Sequence, residues 1–148
     1  MIKAHLQFLH YQMKSIVHVP TLFEYYAAIH LTKQLQTLFY AYEDIPQSHK
    51  INAGFPIRDK GIDLIDETFQ TIVQVKYYKK HSKIHYGKLS TFLATPILVG
   101  RKDLRLTLVR TNHSWLHPEI QTIVTRGDMN DVRLCPNQFL RSLKKTTL

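Results

Sequence analysis

The stretch GIDLIDETFQTIVQVKYYKK, residues 61–80, limits the fold more than any other part of the chain. Two runs rich in β-branched and aromatic residues flank a short polar connection, which is the pattern of a β-hairpin. A hairpin needs apolar residues on its buried face and any soluble residue on the other, yet Asp63, Gln74 and Lys76 interrupt the apolar alternation. With the turn at residues 67–70, antiparallel partners have numbers summing to about 137, which sets Asp63 opposite Gln74. Side chains alternate along a strand, so Gln74 and Lys76 share one face while Val73, Val75 and Tyr77 take the other. Asp63, Gln74 and Lys76 then form one polar cluster. Asp66 falls on the face away from Asp63 and Asp59 lies in the preceding connection, so both read as surface charges.

Such a cluster suits phosphodiester hydrolysis. A carboxylate and an amide oxygen are hard ligands of the kind Mg²⁺ accepts while keeping waters, one of which can become the nucleophile. A lysine two residues on supplies positive charge for the phosphate or for the transition state. From spacing alone, an incidental solvated face explains the same three residues.

The rest of the chain supplies a mixed α/β context. Ile2, Leu6, Leu9, Met13 and Ile16 recur at helical spacing, which predicts an amphipathic extension over residues 1–18, ahead of a single domain over 19–148. A second helix follows in TLFEYYAAIHLTKQLQTL, with Leu31, Leu35 and Leu38 on its apolar face. FYAYEDIP reads as a first strand and QSHKINAGFPIRDKG as a polar connection. KIHYGKLSTFLAT predicts a helix ended by Pro96, and LRLTLVRTN a strand with one wet or phosphate-facing side. DVRLC predicts a short last strand, and Pro136 opens a closing helix, PNQFLRSLKK. This order predicts an α/β fold, a central mixed β-sheet flanked by helices.

Charge narrows the partners. Residues 1–69 hold six basic and seven acidic residues, whereas residues 70–118 hold nine basic ones and a single acid, Asp103. So one-sided a half-molecule repels itself unless a polyanion neutralises it, and phosphate backbones are the commonest one; a merely solubilising surface is the plainer account. The absence of an apolar run of about 20 residues argues against a membrane span, and the polar start against a signal peptide, so the protein is expected to be intracellular. One cysteine, Cys135, excludes an internal disulfide and a multi-cysteine zinc site, and its apolar surroundings predict a buried, inert thiol. The pairs His81/His85 and His113/His117 lack the further ligands of a zinc site, and no Gly-rich phosphate loop supports ATP use.

The run DKGIDLI…TIVQVKYY, preceded by a helix carrying FEYYAAIHL, resembles the PD-(D/E)XK nuclease superfamily. More specifically it is similar to the Mrr-like restriction endonucleases, with their helix bearing Phe-Glu, then Gly-Ile/Val-Asp, then a strand with Gln-x-Lys. The resemblance implies a restriction-endonuclease-like fold in which Asp63 is the metal-binding aspartate, Gln74 stands in the Glu/Asp position and Lys76 is the signature lysine. Glu24 matches the helix glutamate that completes the site in this branch. Thr21 and Glu24 also make a capping box, and the residues alone do not separate the two roles.

The residues and the resemblance together predict a Mg²⁺-dependent DNA endonuclease, with Mn²⁺ as a substitute. Asp63, Gln74 and Glu24 are its metal ligands and Lys76 a further catalytic residue. Lys79, Lys80, Lys83, Lys88, Arg101, Lys102 and Arg105 are the expected DNA-holding residues, Lys83 and Lys88 being on the helix after the hairpin. Ile-Asp replaces the usual Pro-Asp, and Gln74 brings no negative charge to the site. A non-catalytic nucleic-acid-binding module of a helicase, repair or recombination assembly is therefore the alternative, and a structure-specific nuclease such as a junction resolvase a third. A homodimer, or a place within or beside a larger DNA-processing protein, fits either class.

Overall fold

The computed structural model describes residues 19–57 and 61–135, together with 137, 138 and 141. The expected N-terminal helix, Asp59 and most of the closing helix lie outside the described residues.

Helix α1 (Val19–Leu35) buries Leu22, Phe23, Tyr25, Ala27, Ala28 and Leu31, whose spacing lines one face. It stops where Gln36 takes a positive φ of 55°, so Leu35, expected on the apolar face, is 49% exposed and Leu38 lies beyond the helix. Buried Thr32 ties the helix to the first strand: its hydroxyl donates to Ala28 O and accepts from Phe39 N–H at 3.1 Å. That strand is β1 (Phe39–Ala41), and a 3-10 turn (Tyr42–Asp44) succeeds it. The connection read as irregular contains a short helix, α2 (Gln47–Asn52), too brief for its periodicity to show.

The hairpin forms as anticipated. Strands β2 (Leu64–Asp66) and β3 (Thr71–Lys76) pair antiparallel with Leu64 opposite Val73 and Ile65 opposite Ile72, the expected register. Asp66 is a correction: it is 3% exposed, and its carboxylate accepts from the backbone N–H groups of Gln70 and Thr71, both at 2.8 Å, and from the Thr68 hydroxyl. It is the staple of the turn, because a buried carboxylate is tolerated only when its lone pairs are satisfied.

The helix expected from Lys83 begins later. Lys83 and Ile84 form a two-residue strand, β4, Tyr86–Lys88 a 3-10 turn, and only Ser90–Leu98 is helical, as α3. Lys83 and Lys88 are therefore not on a helix. Pro96 sits inside α3, near its end, and its carbonyl accepts from Arg101 N–H at 2.8 Å. Strand β5 (Arg105–Thr111), the two-residue β6 (Trp115–Leu116), helix α4 (Pro118–Thr125) and strand β7 (Asn130–Leu134) complete the described elements.

The main sheet runs β1-β2-β3-β5-β7, antiparallel as far as β3 and parallel from β3 to β7; β4 and β6 form a separate parallel pair. One face packs on α1 through Leu64, Val73, Val75 and Val109. The other packs Ile65, Ile72, Leu106 and Leu108 on Phe92 of α3 and Ile120 of α4. The expected wet side of β5 is absent for this reason: every residue from Leu106 to Thr111 is buried, as in a strand covered by helices on both faces.

Candidate active site

Asp63 stands where three strands meet. Its N–H donates to Val73 O at 2.8 Å, its carbonyl accepts from Tyr42 N–H at 2.9 Å, and its Oδ2 accepts from Val75 N–H at 2.7 Å. It thus brackets Gln74 through both of that residue's neighbours. Strict alternation fails across Asp63, since Ile62 packs in the same layer as Ile65. The carboxylate consequently reaches the backbone of β3, where a period-two pattern would aim it at the side chain of Gln74.

Gln74 is 7% exposed, so the sheet face carrying it is covered, not solvated. Gly61 explains how the amide fits. With a φ of +85°, Gly61 brings its backbone so close that a Cβ there would lie 3.2 Å from Gln74 Oε1 and 3.4 Å from Phe92. Gly61→Ala is expected to lower stability by about 1–2 kcal/mol from the left-handed backbone alone, and to displace the Gln74 amide. Thermal unfolding checks the first effect and nuclease assays the second; an alanine variant as stable and active as the parent would refute it.

Lys76, half-buried, closes β3 opposite Arg110. Glu24 comes from the opposite side of the sheet. Val19 is already helical, so Thr21 lies within α1 and is not its N-cap residue, which removes the capping box. Glu24 and Asp63 instead line one cavity of about 460 Å³, with Thr21, Glu43, Lys50 and Ile62. Gln74 and Lys76 are not part of that lining.

Glu43 and Lys50 escaped sequence reasoning. Lys50 is 4% exposed on α2, its Nζ 4.4 Å from the centre of the Tyr42 ring and 3.4 Å from Ile57 O. A buried ammonium over an aromatic face gives this otherwise acidic cavity a fixed positive wall. Nothing in QSHKIN marks the lysine, whose burial depends on chain arriving from β1.

The basic residues divide by position. Lys79, Lys80, Lys83 and Lys88 are exposed beyond the end of β3 that carries Lys76. Arg101, Lys102 and Arg105 lie at the opposite end. Arg105 pairs with Thr71, Arg101 Nη1 donates to Phe69 O in the hairpin turn, and Arg101 Nη2 bonds Asp103 at 3.2 Å. Five residues of strand, roughly 16 Å, separate that end from Lys76. Arg110 leaves the basic surface altogether: it is 6% exposed and makes a two-pronged ion pair with Asp131 at 2.8 and 2.9 Å. Burial pushes the phenol of Tyr78, two residues past Lys76, above its ordinary pKa, so it stays a hydroxyl donor.

His85 and His117, one from each of the pairs noted in the sequence, lie ring to ring with centroids 5.4 Å apart. Cys135 is half-buried. Among the described residues no three His, Cys, Asp or Glu side chains converge on one point. The donors at hand are oxygens: the Asp63 and Glu24 carboxylates on one cavity and the Gln74 amide beside Gly61. The two carboxylates that share the cavity are hard donors of the kind a divalent cation takes with water or phosphate oxygens, and not those of a soft metal, while Gln74 lies outside that lining.

Residues 30–142 match a family model described as a restriction endonuclease, of the Mrr-type catalytic domain. No curated protein and no solved structure gives a significant match. The matched segment contains Asp63, Gln74 and Lys76 but begins after Glu24, whose place at the site rests on the cavity it shares with Asp63. Since most of the chain follows this pattern, from the second half of α1 past β7, the protein belongs to the Mrr-like restriction endonuclease family of PD-(D/E)XK nucleases.

Proposed function

We propose that this nuclease domain hydrolyses DNA phosphodiester bonds with a divalent cation, Mg²⁺ first and Mn²⁺ as a substitute. The observation that carries the reading is the clasp of Asp63 onto β3, on both sides of Gln74, at the rim of a cavity that also takes Glu24. Asp63 holds the cation with help from Glu24, and Gln74 contributes a neutral oxygen. When bound, the cation polarises the phosphoryl oxygens and lowers the pKa of an attacking water. Lys76 faces the charge that develops on the phosphate and stabilises it. Lys79, Lys80, Lys83 and Lys88 hold the backbone at the same end of the sheet. Arg101, Lys102 and Arg105 reach DNA only if it extends along the strands to the hairpin turn.

The test is supercoiled plasmid with Mg²⁺, Mn²⁺ or EDTA. The parent is expected to nick or linearise it in either metal and not in EDTA, and Lys76→Ala to lower the rate by about 10²-fold or more. A protein that shifts DNA in a gel with steep salt dependence, yet never cuts it, would instead be the binding module that the uncharged Gln74 permits.

A further inference from the structure

Beyond Lys76 the chain builds a second feature. In the β4–β6 pair Ile84 is fully buried in the core, while Lys83 and its strand partner Trp115 face outward. Trp115 is 55% exposed and nearby Tyr86 47%. The tryptophan is held in place. Its backbone N–H donates to Ser82 O at 2.8 Å, and the ring of His81 stands edge-on to the indole, centroids 5.3 Å apart at 80°. His81 does so with a left-handed backbone, φ 64°, unusual for a residue with a side chain, fixed by its N–H on His113 O at 3.1 Å. The Thr111 hydroxyl ties the same segment to β5 through Tyr78 O at 2.9 Å.

Single exposed apolar residues are ordinary. This one differs in being braced by a neighbour with a left-handed backbone and in having a lysine, Lys83, as its strand partner. Lys79, Lys80, Lys83 and Lys88 lie on the segment carrying His81, and between Glu67 and Asp103 the chain has no acid. A rigid aromatic face among lysines matches unpaired nucleic-acid strands, where bases stack on rings and phosphates meet cations. Paired bases offer no free face, because both sides of each are already stacked.

We infer that Trp115, braced by His81, is a stacking platform for an unpaired DNA base, so that the substrate carries a single-stranded, flapped or otherwise opened segment beside the cleavage site. This rests on the DNA-nuclease reading above and specifies its substrate. Trp115 is the only tryptophan in the chain, so its fluorescence reports this position alone.

The experiment titrates the full chain in EDTA with an oligo-dT strand and with a blunt duplex of equal length. The single strand is expected to quench Trp115 emission strongly and the duplex weakly. Trp115→Ala should weaken single-strand binding roughly 5- to 150-fold, and duplex binding by less, with Trp115→Phe restoring most of the loss. Unchanged emission at saturating single strand would overturn the platform, as would equal weakening for both DNAs. So would an emission shift with protein concentration alone, accompanied by dimer in sedimentation, since a second copy would then cover the indole. If plasmid is cut in Mg²⁺ but emission does not respond, the platform alone fails; if no DNA binds and plasmid is not cut in Mg²⁺ or Mn²⁺, the nuclease reading fails with it.

Discussion

Asp63→Asn is expected to retain the fold and lower DNA cleavage by about 10²–10³-fold, the scale of removing one preorganised electrostatic group from an active site. The two effects separate because Asp63 has two tasks. Its Oδ2 accepts a hydrogen bond from Val75 N–H, which an asparagine oxygen accepts as well. Its negative charge is one of the carboxylate charges lining the proposed site, to which Gln74 adds none, and asparagine removes it. Asp63→Ala should lose both and unfold at lower temperature. Cleavage rates in Mg²⁺, set beside thermal unfolding of both variants, check this. An asparagine variant that cuts as fast as the parent would remove Asp63 from the mechanism.

Arg110→Ala should be the most damaging single change to stability, at about 3–5 kcal/mol, because it leaves a partly buried carboxylate without its partner. The pair is two-pronged, with side-chain exposures of 7% and 12%, and Arg110 also donates to Ser114 O. Denaturant unfolding midpoints measure the loss. Replacing both members, as Arg110→Met with Asp131→Leu, should recover much of it, since apolar groups of similar volume carry no desolvation penalty. If Arg110 were a phosphate contact instead, its alanine variant would stay stable and its DNA binding would show a shallower salt slope.

The hairpin is the most legible part of the chain because its information is local. Alternating apolar residues and a short turn set the register from Leu64 opposite Val73, and the Gly-Ile-Asp and Gln-x-Lys patterns mark the candidate residues within it. The features that escape sequence reading depend on elements far away in the chain. Asp66 looks like any exposed acid until the turn folds its own amides around it. Arg110 looks like a phosphate contact until β7 brings Asp131 beside it. Lys50 looks like loop until Tyr42 lies under it. Pro96 suggests a helix end, but a proline in the last turns costs one hydrogen bond, and the carbonyl of Pro96 itself finds Arg101.

The span of each clasp adds a consequence for how the sheet comes together. Asp66 reaches Thr71 across 5 positions and Asp63 reaches Val75 across 12. The Arg110–Asp131 pair closes 21, and the Thr111–Tyr78 bond 33. Loop-closure entropy makes the longest of these about 1.7 kcal/mol costlier to close than the shortest. The carboxylate clasp of Asp63 is therefore set by a short loop, whereas its carbonyl bond to Tyr42, the lysine-bearing segment and the outer strand depend on longer ones. A local opening that frees β7 would leave the two hairpin clasps, Asp66 on Thr71 and Asp63 on Val75, closed over their own loops.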